Sequence, residues 1–116
     1  MLNRLYRRRL AAMKAIEDMT VNLVKKLEST GQLQNTWILF TSDNGFHMGE
    51  HRLPQGKNTA FDEDLHVPLL IRGPGVSPHP VDALTVNVDL TPTLLEMAGI
   101  SIPAWVEGRS LLPWLQ

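Results

Sequence analysis

A chain of 116 residues, 43% of them apolar, with a formal charge of -1, has the composition of a globular domain with a small core. The near-neutral balance gives no electrostatic ground for nucleic acid or an acidic membrane surface as partner, and no run approaches the roughly 20 apolar residues of a spanning helix. With no Cys, a disulfide framework, a thiolate metal site and a Cys nucleophile are all excluded.

The first segment carries Arg4, Arg7, Arg8, Arg9 and Lys14 with no acid before Glu17, superficially like a transit peptide. An amphipathic helix accounts for it better, because the apolar stripe of Leu10, Met13, Ile16, Thr20, Leu23 and Leu27 runs on past the basic residues at spacings of three and four. The pattern predicts a helix from about Leu5 to Ser29. Gly31 ends it at the position that tolerates a left-handed backbone, and Lys25 and Lys26 suit the negative end of its dipole.

Trp37 to Phe40 then form a short apolar run that empties into Thr41-Ser42-Asp43-Asn44-Gly45, which reads as a buried strand ending in a loop. In an open α/β sheet, ligands bind at that end, where a rigid strand root positions a flexible connection. Ser42 to Lys57 holds several Gly, two His and a Pro, and loops of such length are commonly functional. A helical turn is expected within Asn58 to Leu65, with Asp62, Glu63 and Asp64 as a solvated acidic face. His66 to Arg72 reads as a second strand with Pro68 near its start, stopped by Pro74-Gly75 in the order of a type II turn. Leu84 to Val88 is either a third strand or an extended approach to a helix that starts with Thr91 as N-cap and Pro92 as first residue and closes at Gly99. A last turn is expected over Arg109 to Leu115. Two or three strands fall short of a finished sheet, so the pattern predicts part of a larger α/β domain, able to self-associate through uncovered sheet edges.

Asp43 and Asn44 offer a carboxylate and an amide oxygen from adjacent positions, hard ligands of the kind Ca²⁺ and Mg²⁺ take. Gly45 would let the backbone turn so that both face one point, and Lys57 adds a compact cation for an anionic ester oxygen. Asp-Asn-Gly is equally an ordinary tight-turn tripeptide. His47 and His51 stand four apart, but Gly45 and Gly49 oppose a helix there and Glu50 is not in the His-Glu-x-x-His order, which argues against zinc. Two roles stay open for these histidines: lining a pocket or donating to an anion, and a satisfied structural place.

Thr41-Ser42-Asp43-Asn44-Gly45, Gly49-Glu50-His51, Lys57 and His66-Val67-Pro68-Leu69-Leu70-Ile71-Arg72-Gly73-Pro74-Gly75 together resemble the second half of the catalytic domain of the sulfatase family. Asn87 to Leu95, Ala98-Gly99-Ile100 and Glu107 to Pro113 are similar to its downstream helix and closing segment, so the resemblance covers nearly the whole chain. It implies an α/β fold, a partial alkaline-phosphatase-like sheet of two or three strands with a long N-terminal helix and a short later helix. It also implies sulfuric ester hydrolysis with one divalent cation, usually Ca²⁺. Asp43 and Asn44 match the second pair of metal ligands, Lys57 matches the lysine that binds sulfate, and His47 and His51 fall in the motif as candidate substrate contacts. In such enzymes a formylglycine hydrate attacks sulfur and the alcohol leaves.

The chain departs from the family in lacking the Cys/Ser-x-Pro-x-Arg segment that yields formylglycine, so no nucleophile is assigned. Ser101-Ile102-Pro103-Ala104-Trp105 copies its spacing but has Trp105 in place of Arg and follows the metal motif instead of preceding it. The family's first aspartate pair and an upstream histidine are missing too. Residues 1–116 are thus expected to be a C-terminal fragment of a sulfatase catalytic domain, one domain, inactive alone, whose complete enzyme takes a sulfate ester. A phosphatase or phosphonate hydrolase of the same superfamily and a non-catalytic binding module are the rival expectations.

Overall fold

A computed structural model describes residues 2–115. The chain separates into two compact units, Met1–Ile71 and Arg72–Gln116.

With no Gly or Pro before Gly31, nothing interrupts the first helix, and α1 runs over Leu2–Ser29, three residues earlier than the pattern predicts. Lys14 braces its exposed side, with Nζ 3.1 Å from Glu17 and 3.0 Å from Asp18. The helix ends in a Schellman turn: Gly31 is left-handed (φ +71°), its N–H donates to the Glu28 carbonyl, and the N–H of Gln32 donates to that of Leu27. Ile16, Thr20, Val24 and Leu27 form the half-buried side. The expected stripe is therefore corrected at Leu10, Met13 and Leu23, each about half exposed. Val24 lies on the half-buried side in place of Leu23, so the covered face is turned slightly from the one the apolar spacing marks.

A single 3-10 turn, Leu33–Asn35, leads into β1, Ile38–Thr41, which pairs with β2, Leu69–Arg72, in a two-stranded sheet. β1, expected to be buried, is half-buried from Ile38 to Phe40 and exposed at Thr41. β2 alternates between half-buried Leu69 and Ile71 and exposed Leu70, the signature of a sheet with one face covered. Between the strands lie the long loop and α2, a single turn over Asp62–Leu65.

In the second unit, Gly75 (φ +75°) and the bond from the Val76 N–H to the Gly73 carbonyl make the turn that Pro74-Gly75 predicts. Residues 84–86 approach the next helix without pairing, so the sheet has two strands among the described residues. A 3-10 turn over Asn87–Asp89 runs straight into α3, Leu90–Met97. Asp89, not Thr91, precedes the helix, and Pro92 stands third in it. That place is compatible with proline because the first turn's N–H groups have no helical partner. Gly99 (φ +70°) and Ile100 repeat the Schellman ending of α1 through the carbonyls of Glu96 and Leu95. The expected last turn is the 3-10 turn Leu112–Trp114.

Polar groups as well as apolar ones fill the centre of this unit. The Asp89 carboxylate accepts from the backbone N–H of Val86 at 3.0 Å and of Arg109 at 2.9 Å, donors that hold it below the usual carboxylate range, the Arg109 N–H foremost. Thr93, fully buried, donates to the Asp89 carbonyl at 2.6 Å and accepts from the Leu111 N–H at 2.9 Å. Pro92, Leu111 and Leu115 are the buried apolar side chains of this unit. Gly108 is left-handed (φ +85°), and a Cβ at that position would lie 2.6 Å from the Val88 carbonyl oxygen. Thr93→Val removes the hydroxyl while keeping the volume, stranding the Leu111 N–H. The expected loss is about 1–3 kcal/mol in chemical denaturation, and an unchanged midpoint would contradict the role given to the hydroxyl.

His79 is exposed, yet its Nδ1 lies 2.8 Å from the Ser77 carbonyl and its Nε2 3.0 Å from the Trp114 carbonyl. Carbonyls only accept, so both ring nitrogens donate at once only as the imidazolium. The Ser77 and Trp114 carbonyls accordingly raise its pKa above the usual histidine value. A raised folded pKa gives stability that is complete below the unfolded value of about 6.5 and is lost as pH rises through the folded one. Denaturation midpoints of wild type and His79→Ala should therefore differ in acid and converge in alkali; parallel pH profiles would exclude the carbonyl clamp.

Candidate functional site

The loop after β1 is closed by polar bonds because it has few apolar residues to bury. Ser42 donates to the Asn44 carbonyl at 2.8 Å, the Asn44 N–H to Asp43 Oδ1 at 2.9 Å, and the Asn44 amide nitrogen to the Gly45 carbonyl at 2.7 Å. The last of these leaves Asn44 Oδ1 outward, where it accepts from Lys57 Nζ at 2.9 Å across a separation of thirteen positions. Asp43 is exposed and Asn44 half-buried. The structure thus brings Asn44 and Lys57 into direct contact, with Asp43 tied to the same backbone turn.

Gly45 is needed here, though for a different reason from the one the sequence suggests. Its backbone is not left-handed; instead its N–H donates to the Asp64 carbonyl at 2.8 Å, and an added Cβ would stand 2.0 Å from the Glu63 carbonyl oxygen. With the next N–H, that of Phe46, bonded to the Glu63 carbonyl at 2.8 Å, the loop lies directly against the turn of α2.

The acidic turn of α2 is not a solvated face throughout. Asp62 is exposed, Glu63 half-buried and Asp64 buried. The Asp64 carboxylate accepts from the His47 N–H at 3.0 Å, from His47 Nδ1 at 2.9 Å, and from the N–H and hydroxyl of Thr59 at 2.8 and 2.7 Å. Burial pushes its pKa up, but the two Thr59 bonds and then the His47 ring outweigh this and bring it down to about 2. As an ionised carboxylate only accepts, His47 carries its proton on Nδ1. The ring is itself buried and stacks on Phe46 at 6.3 Å, whose other partner is the Arg9 guanidinium of α1, 4.5 Å from the ring centre.

His51 is held in parallel. Its Nε2 lies 3.1 Å from Glu63 and its ring stacks on Phe61 at 3.7 Å, so the two histidines face two consecutive acids. The loop is pinched where His47 and Gly56 exchange backbone bonds of 3.0 and 3.1 Å. Left-handed His51, Arg52 and Asn58 (φ 56°, 60° and 78°) are conformations that non-glycine residues hold only where their surroundings fix them. Of the two roles open for His47 and His51, the structure shows partners for the structural one. Sequence reasoning missed Asp64 and Thr59; the one available signal was an acid beside Leu65 just before a strand, too common a pattern to single out.

Gly45→Ala should destabilise the chain by about 3 kcal/mol, since backbone and not a flexible side chain opposes the methyl group. Amide exchange at Phe46 should accelerate with it; wild-type stability would mean the loop and α2 separate easily.

The sulfatase family profile matches residues 2–100. Human N-acetylglucosamine-6-sulfatase is 43% identical over 117 residues, an alignment covering 99% of this chain and 21% of that protein. A protein solved in complex with its substrate D-glucosamine-2-N,6-O-disulfate superposes with a TM-score of 0.78 at 37% identity, over 89% of this chain and 21% of the other. The phosphonate monoester hydrolase of Silicibacter pomeroyi does so with a TM-score of 0.76 at 43% identity, over 81% of this chain and 19% of the other. The chain therefore spans about a fifth of the length of these relatives.

Proposed function

The chain belongs to the sulfatase family, and from that premise we propose that it supplies one part of a sulfate-ester hydrolase site, with Asp43 and Asn44 as ligands of one divalent cation and Lys57 as the sulfate-binding group. Supporting this most directly is the Lys57 ammonium 2.9 Å from Asn44 Oδ1, which sets a cation for an anionic oxygen beside a candidate metal ligand. The donor chemistry fits Ca²⁺ in kind, since both side chains offer hard oxygens. In number it fits only a share of the sphere. Ca²⁺ takes roughly six to eight oxygens, and among the described residues no group of three or more His, Cys, Asp or Glu could hold a metal.

When bound, the cation would supply charge stabilisation to the oxygens around sulfur. Lys57 acts alongside it. An ammonium has three donors, so one can stay on Asn44 while the others hold a nonbridging sulfuryl oxygen, and the Asn44 bond orients the group before substrate arrives. His47 and His51, engaged by Asp64 and Glu63, serve here as loop-holding residues and not as substrate ligands. No residue of this chain is assigned as nucleophile.

Calorimetric titration with sulfate and with Ca²⁺ tests this reading. Sulfate should bind, Lys57→Met should weaken it about tenfold or more, and aryl-sulfate turnover by these 116 residues should be undetectable even with Ca²⁺. Robust turnover would refute the partial-site reading. No heat from either ligand, together with concentration-dependent self-association, would favour a binding module. The likeness to a phosphonate monoester hydrolase favours a second substrate class, and a phosphonate monoester that bound much more tightly than sulfate would decide for it.

A further inference from the structure

Resting on the assignment of Asn44 and Lys57 to the site, we propose that Asp64 is a positioning residue for Lys57, its carboxylate clamping both ends of the loop so that the ammonium meets the Asn44 amide oxygen. Its two oxygens face opposite ways along the chain. Oδ1 takes the N–H and Nδ1 of His47, near the start of the loop, and Oδ2 takes the N–H and hydroxyl of Thr59, just past its end. Oδ2 also lies 3.1 Å from His47 Nδ1, so the two ends share one carboxylate.

Lys57 is thereby fixed on both sides. Before it, Gly56 is bonded in both directions to His47; after it, only Asn58 intervenes before Thr59. Asn58 is left-handed at φ 78°, a conformation that relaxes readily once its neighbours are released. The carbonyl of Asp64 also takes the N–H of Gly45, next to Asn44. One residue thus sets the place of both partners in the Asn44–Lys57 contact: the oxygen through its backbone and the ammonium through its side chain. An amide in place of the carboxylate would turn an acceptor into a donor toward Thr59 or His47, and one clamp would open.

The test is a double-mutant comparison read on the side-chain amide resonances of Asn44. In the wild-type background Lys57→Met should displace them, because it removes their ammonium partner. In the Asp64→Asn background the same change should displace them little, with helix content in far-UV circular dichroism unchanged. Thr59→Val, which cuts a single bond to the carboxylate, should reduce the displacement in part and carries the test if Asp64→Asn fails to fold. A full wild-type displacement in both variants would overturn the proposal, as would its absence in wild type itself. Sulfate affinity is read separately and should fall about tenfold in Asp64→Asn. If wild type binds no sulfate while the Asn44 response still depends on Asp64, the functional reading fails and the positioning stands.

Discussion

A buried carboxylate surrounded by backbone N–H groups is the device on which this chain depends. Each unit has one. Asp64 gathers the loop after β1 onto α2, and Asp89 ties the start of α3 to the segment that begins with Arg109. Burying an ion is costly unless every lone pair finds a donor, and here the donors are plentiful enough to hold both acids below the usual range. The reason for relying on such anchors is size. Pro92, Leu111 and Leu115 are the buried apolar side chains described, while Tyr6, Leu10 and Met13 keep about half their surface, so apolar burial alone would specify the loops poorly. Directed bonds to a single acceptor specify them well, because two oxygens have only a few good directions of approach.

The sheet and the acidic turn then work as a pair. β1 brings Asp43 and Asn44 to the end of a paired strand, and α2, just before β2, returns the chain to the same place. The loop between them is long but tied at His47, Gly56 and Thr59. The chain thus has the arrangement expected of the alkaline-phosphatase-like fold of its family, a paired strand end that leads into the loop of the candidate side chains. Arg9 adds a tie from α1 by resting on Phe46, which links the longest helix to the residue next to Gly45.

Much of this was legible in the sequence, and what was not has a common cause. Local signals read well: Gly31 and Gly99 ended their helices, Pro74-Gly75 made its turn, and β1 emptied into Asp43-Asn44 as its composition required. Signals that depend on distant partners did not. Asp64 looks like its neighbours Asp62 and Glu63 until His47 and Thr59 fold back upon it, and no spacing rule connects residues seventeen apart across an irregular loop. Leu10 and Met13 fitted a helical stripe, but a stripe states which residues share a face and not whether anything covers them. Thr91-Pro92 had the chemistry of a helix start, yet the preceding 3-10 turn extended the coil backward to Asp89, which an N-cap rule does not foresee. The family resemblance named Asn44 and Lys57 as residues of one site but not the bond between them; periodicity alone had left Asp-Asn-Gly open as an ordinary turn.

The pinch between His47 and Gly56 divides the loop into a mechanical base and a tip that has its own hold through His51 on Glu63 and Phe61. Residues 48–55 lie beyond the paired backbone, so the strand-like pair sets the place of Lys57 while His51 anchors the tip separately. A change confined to the tip would therefore be felt first at His51 and only afterwards at the backbone pair beside Lys57.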